Sequence, residues 1–119
     1  MAAFKLKLEI NQGSTFRQSV TWKAGTPAVP VDLTGFKARM QARADIDDAV
    51  PLFELTTENG GIALNVAPGR IDLYMSAAAT ALLKFEIAVY DVEFIAPGVD
   101  GDVSRRIYGP ILLSREVTR

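Results

Sequence analysis

Three observations predict an all-β fold for this 119-residue sequence: an antiparallel two-sheet Ig-like β-sandwich. Apolar and polar residues alternate with period two along most of the chain, the spacing at which a strand's side chains point to opposite faces. Clusters of Gly, Pro, Asn and Asp recur at roughly the 8–12-residue spacing of sandwich strands. Only one stretch, near residues 77-83, carries a helical signal. The same pattern allows a small closed β-barrel as the alternative. No linker, internal repeat or low-complexity run divides the chain, so 1-119 reads as a single domain.

Phe4, Leu6, Leu8 and Ile10 form the inner face of a first strand, with Lys5, Lys7 and Glu9 outside. Asn11-Gln12-Gly13 turns it. Phe16, Val20 and Trp22 keep one parity in a second strand, interrupted only by Gln18. Gly25, Pro27 and Pro30 break regular pairing over the next stretch. In Val31-Asp32-Leu33-Thr34-Gly35, Asp32 or Thr34 can tie a corner by side-chain hydrogen bonds to the backbone. The longest alternation follows, with Phe36, Ala38, Met40 and Ala42 on one face and Lys37, Arg39, Gln41 and Arg43 on the other.

Asp45, Asp47 and Asp48 mark an exposed loop before Phe53 and Leu55 restart a strand. Asn59-Gly60-Gly61 is a hairpin-type turn signal. Ile62, Leu64 and Val66 alternate, Pro68-Gly69 turns, and Ile71, Leu73 and Met75 alternate again. Ser76 then N-caps an alanine-rich helix of about two turns that crosses between the sheets. From Phe85 to Ile95 the apolar parity is inconsistent: Phe85, Ile87 and Val89 are odd, while Tyr90, Val92 and Phe94 are even. That predicts either burial on both sides or a bulge near Val89-Tyr90. In the last strand, Val103, Arg105, Ile107, Ile111 and Leu113 alternate, and Gly109-Pro110 forces a bulge or an edge position.

Composition excludes much chemistry. Apolar residues are 49% and charged residues 23% of the chain, which is ordinary for a globular domain. The mean hydropathy of +0.15 leans apolar, as for surface buried in an assembly. Thirteen basic and 14 acidic residues leave a net charge of -1, so bulk attraction to nucleic acid is not indicated. Cysteine and histidine are both absent. Disulfides, thiolate sites, histidine-based nucleophile pairs and the usual zinc ligands are therefore unavailable. The opening residues alternate instead of forming an apolar leader segment, and no run reaches the roughly 20 apolar residues of a membrane-spanning helix. Neither an enzyme nor a cofactor or metal protein is expected, and no membrane, nucleic acid or small-molecule substrate is expected as a partner.

The remaining candidates are few. Asp45, Asp47 and Asp48, with Asp100 and Asp102, offer oxygen ligands for calcium, but their spacing lacks the glycine and distal glutamate of a calcium-binding loop, and two solvated turns are favoured. Glu86, Asp91 and Glu93 lie on or near one strand without a facing acid, so paired-carboxylate hydrolysis is not supported. Asp91 reads instead as a hydrogen-bond partner for a neighbouring strand. Arg39 and Arg43, with Arg105 and Arg106, offer a cationic face for phosphate or an acidic protein surface. Because the aromatic residues keep the apolar parity, base stacking is not expected and a solvated or protein-contacting face is favoured.

Several segments resemble a family of small tail-associated proteins of bacteriophages and prophages. They are Ile10-Asn11-Gln12-Gly13-Ser14-Thr15-Phe16 with Thr21-Trp22, and the run from Val31-Asp32-Leu33-Thr34-Gly35 through Arg43. Glu54 through Ile62, Gly69-Arg70-Ile71, Ala79-Thr80, Tyr90-Asp91-Val92-Glu93 and Val117-Thr118-Arg119 continue it. The pattern is also similar to the sandwich-like N-terminal domain of phage baseplate upper proteins. This resemblance implies a non-enzymatic virion protein, made in the host cytoplasm, that joins other virion proteins and copies of itself in the tail, neck or baseplate, where fibres or tailspikes attach. A capsid decoration or cement protein is the alternative location. The termini, Met1 to Phe4 and Arg115 to Arg119, are expected to act as arms, which adds Arg115 and Arg119 to the candidate interface residues. A carbohydrate-binding module is a further alternative, and Tyr74, Tyr90 and Tyr108 are the tyrosines available for its sugar platform.

Overall fold

The alternating segments form strands in the computed structural model, which describes residues 3–118. Among them are β1 (Phe4–Lys5), β2 (Leu8–Asn11), β3 (Phe16–Thr21), β4 (Lys23–Ala24), β5 (Val29–Pro30) and β6 (Lys37–Arg43). They continue as β7 (Phe53–Thr56), β8 (Ile62–Leu64), β9 (Arg70–Met75), the helix α1 (Ala77–Ala81), β10 (Ile87–Ile95) and β11 (Val103–Ser114). The larger sheet has the order β1-β11-β10-β6-β7, with β2 following β1 along the same side of β11. The smaller sheet is β3-β9-β8, and β4 and β5 form a separate two-stranded ribbon. Three strands facing a sheet built on β6, β10 and β11 is the arrangement of an Ig-like sandwich. The strands do not close into a barrel, because among the described residues no ladder joins the two main sheets.

The period-two pattern explains the core. Met40 and Ala42 from β6, Val92 and Phe94 from β10, and Ile107 and Ile111 from β11 are buried. They belong to one cluster with Leu8, Ile10, Phe16, Ile62, Ile71 and Leu73. Each large side chain removed from water contributes roughly 1.5–3 kcal/mol. Trp22 closes the cluster at one end, with its ring 5.5 Å from that of Phe94 and 6.3 Å from that of Phe36.

The parity conflict before Ile95 resolves in neither of the expected ways. Ala88, Tyr90, Val92 and Phe94 all point inward, whereas Ile87 and Val89 stand exposed on the outer face. There they lie opposite Leu112 and Pro110 of β11, forming a small apolar tile. The irregularity sits in β11 instead: Val92 pairs with Ile107 but Glu93 pairs with Arg105, so Arg106 is the extra residue.

Gly109-Pro110 does not place β11 at an edge, since the strand is paired on both sides. The Tyr108 carbonyl accepts from the Leu6 N–H at 2.8 Å, so this side of β11 faces the N-terminal strand. Pro110, two residues on, has no N–H to offer on that side, and the N-terminal strand splits there into β1 and β2. Both pieces run parallel to β11, an exception to the expected antiparallel pairing. A Cβ at Gly109 would collide with the Leu6 carbonyl, over which the chain passes closely.

Ser76 caps α1 as expected, its hydroxyl accepting from the Ala79 N–H at 3.2 Å. The helix leads from the smaller sheet to the larger. The Asn59 turn also crosses between sheets, joining β7 to β8, so it is not a hairpin. Its Asn59 side-chain oxygen accepts from the N–H groups of Thr56 and Gly61, both at 2.8 Å.

The Asp32–Gly35 corner is a structural lock. The Asp32 carboxylate accepts from the Thr34 hydroxyl at 2.7 Å and the Thr34 N–H at 3.0 Å. These bonds hold its carboxyl below the ordinary range. Asn65, in a left-handed conformation (φ 62°), bridges from this corner to the Gly69 N–H at 3.2 Å. Leu33, between the two polar residues, is buried.

Candidate interaction surface

Strands β6, β10 and β11 lie side by side, so their outward residues form one surface. It is an open trough of about 890 Å³ that crosses all five strands of the larger-sheet path, from Lys5 on β1 to Glu54 on β7. The antiparallel register sets Arg39 opposite Glu93 and brings Arg105 beside Asp91. Arg39 donates to Glu93 at 2.9 Å, and Arg105 donates to Asp91 at 3.2 Å. Gln41 donates to Glu54 at 2.6 Å. Arg43 donates to the Gln41 side-chain oxygen at 2.6 Å and to the Asp48 carbonyl at 2.7 Å.

The expected free cationic ribbon is therefore a cross-linked polar floor. Four cationic side chains (Lys5, Arg39, Arg43, Arg105) and four anionic ones (Asp45, Glu54, Asp91, Glu93) line the trough. They cancel in charge, so long-range attraction to a polyanion has no source on this face. One end of the trough is apolar, with Ile46, Val89 and Pro110 in its lining. Ile46 is 80% exposed and Val50, in the same loop, 76%. Clustered exposed apolar side chains beside a polar surround are a mark of protein contact surfaces.

The structure thus brings together Arg39, Arg43 and Arg105 but separates the other candidates from them. The bulge in β11 turns Arg106 away from the trough to lie over the Trp22 ring, 4.9 Å from its centre. Arg115 is exposed just beyond β11, at the opposite end of that strand from Arg106. Arg119, like Met1 and Ala2, lies outside the described residues.

Only part of the two expected arms lies among the described residues. Phe4 is part of β1, opposite Ile107. On the C-terminal side, Glu116 is tied down, its N–H donating to the Gln12 side-chain oxygen at 2.9 Å. The Gln12 amide in turn donates to the Leu83 carbonyl at 2.7 Å. Val117, next in sequence, is 93% exposed.

Other candidate residues are placed as follows. Asp45 accepts from the Asp47 N–H and Asp48 from the Asp45 N–H, an internally capped turn. Among the described residues, no group of three potential metal-ligating side chains gathers. Asp91 bonds to the adjacent strand, as its position suggested. The three tyrosines do not share a face. Tyr90 is buried with its hydroxyl donating to the Leu6 carbonyl at 2.5 Å, and burial pushes its ionisation upward. Tyr74 lies on the smaller sheet beneath Arg17 and Tyr108 on the larger sheet beneath Arg105.

On the outer face of the smaller sheet, Arg70 grips Asp72 through two bonds, at 2.7 and 2.9 Å. That contact, with a bond from Ser19, holds the Asp72 carboxyl below the ordinary range. Sequence reading missed the pairing of Arg39 with Glu93, although the signal was present. Both residues carry the polar parity of long alternating strands, and only the register between those strands was needed. No family model matches this chain, and no curated protein does.

Proposed function

We propose that this protein is a non-enzymatic structural component of a bacteriophage virion, an assembly adaptor in the tail, neck or baseplate region. The observation that carries the reading is the trough on the larger sheet. Its floor rests on rigid strands, its charges are compensated in place, and its apolar end around Ile46 and Val89 is uncovered. Such a face suits a neighbouring protein that brings apolar contacts and paired polar groups, with specificity set by charge position. The sequence likeness to phage tail-associated proteins supports the same conclusion. Residues Arg39, Arg43 and Arg105 then act at the interface through their fixed geometry, not as an unbalanced positive field.

The test exchanges one ion pair. A variant carrying both Arg39→Glu and Glu93→Arg keeps an internal pair while reversing what a partner meets. The purified double variant should fold like the parent protein, and virions produced with it should lose the protein. Normal incorporation of the exchanged variant into particles would overturn the trough as the contact face. Copy number measured in the same particles separates tail from head: hundreds of copies would point to the capsid instead.

A further inference from the structure

Each sheet edge in a sandwich presents unpaired backbone groups, and folded proteins usually guard them with short strands, lysines, prolines or bulges. Three of the edges here follow that rule. The N-terminal edge is broken between Lys5 and Leu8 and carries Lys5 and Lys7. On the opposite edge of the larger sheet, β7 is four residues long and Pro51 precedes it closely. At one margin of the smaller sheet, β8 has three residues.

The other margin is different. β3 has six residues in an unbroken ladder with β9, without proline or lysine. The Trp22 N–H donates to the Gly69 carbonyl, on the β9 side. Alternation then turns the backbone groups of Phe16, Gln18 and Val20 toward β9 and those of Arg17, Ser19 and Thr21 outward. Among the described residues, no other strand pairs with that side. The one guard is light: the Gln18 side-chain amide donates to the Ser19 carbonyl at 3.2 Å.

From this edge we infer that β3 is where two copies of the chain join, by antiparallel pairing of β3 with β3 about a two-fold axis at Ser19. In that register Ser19 faces Ser19 of the second copy, and Arg17 faces Thr21. Gln18 faces Val20 on the inner side. Every outward N–H then meets a carbonyl, and no like charges are opposed. The patch is self-complementary, as an isologous contact requires, and the smaller sheets of both copies become one continuous sheet. Gln18 gives up only a single bond from its side chain to let the partner strand in. This deepens the assembly reading, on which it rests, by naming a second copy of the chain as a partner.

The chain has no cysteine, so one introduced thiol reports one contact. The Ser19→Cys variant should form a disulfide-linked dimer under mild oxidation, because directly opposed hydrogen-bonded residues have Cα atoms about 5.5 Å apart. Thr21→Cys alone should not, since four residues of offset separate its two copies by about 13 Å. Val99→Cys, on an exposed loop, measures random collision. In sedimentation the unmodified protein should run as a dimer, and Ser19→Pro as a monomer, because that substitution removes an outward N–H and none bonded to β9. A monomer at every concentration, or Ser19→Cys linking no faster than Val99→Cys, would overturn the proposal. If Ser19→Pro fails to fold, the comparison of the three cysteine variants still decides. All of this is read on purified protein, so it fails or succeeds separately from incorporation into virions.

Discussion

Two regions of this molecule are held by polar side chains, yet the bonds do different work. On the outer face of the larger sheet, Arg39, Glu93, Arg105 and Asp91 bond to one another in partial contact with solvent. At the end where α1 meets the turn after β2, a buried side chain bonds to backbone groups of a partly covered turn. Thr80 is fully buried, accepting from the Gly13 N–H at 3.0 Å and donating to the Ser14 carbonyl at 2.8 Å. A bond between solvated charges exchanges good solvation for a good contact, and its net value is small. Loss of a buried partner strands a donor or acceptor where water cannot replace it. Charge on the surface can therefore change without loss of the fold, whereas the buried anchors cannot.

The largest effect should come from Thr80→Val, which keeps the shape and removes the hydroxyl. It takes the hydroxyl partner from the Gly13 N–H and the Ser14 carbonyl and should cost about 2 kcal/mol, because both bonds are part-buried. Thr80→Ser keeps the bonds and loses a methyl, for about 1 kcal/mol. Urea unfolding of both variants, with an unchanged m-value, checks the difference. Equal losses for the two would mean that packing, not the hydroxyl, anchors the turn.

Tyr90→Phe should follow, at about 1 kcal/mol, because only one bond to the Leu6 carbonyl is lost. The change should also show locally. Amide exchange should quicken at Leu6, whose N–H donates to Tyr108, more than in β6 or β10. Uniform quickening across the sheet would argue against a local tie between Tyr90 and the N-terminal strand.

These two regions also differ in how far the sequence discloses them. Alternation from Phe36 to Arg43 sets both the strand and its exposed face, since a strand has only two sides. Ser76 before the alanines marks the helix start, and Asp32 with Thr34 marks the corner, because capping is local. Pairing of Arg39 with Glu93 depends on a register between strands more than fifty residues apart in sequence, so the face read as cationic proved balanced. Arg106 escaped for a related reason: one extra residue in β11 reverses side-chain direction, and nothing in Ser104-Arg105-Arg106 announces it. Ile87 and Val89 looked like core by composition, but period two had already assigned the inward side to Ala88 and Tyr90. Thr80 is a single polar residue in an alanine run, and only the approach of a distant turn makes it an anchor.

The smallest effect should belong to Glu93→Gln, which separates a docking face from a structural one. The substitution leaves an amide where Arg39 now meets a carboxylate, and both groups retain access to water. Exposed ion pairs contribute roughly 0.2–1 kcal/mol, so the loss should stay below about 1 kcal/mol. It should shrink further in 1 M salt, where the Debye length is about 3 Å. A measured loss above about 2 kcal/mol, insensitive to salt, would make the pair part of the fold's support. The Arg39–Glu93 exchange would then report on folding as well as on contact. A small, salt-sensitive loss instead leaves the charges of the trough free to select a partner without endangering the sandwich beneath them.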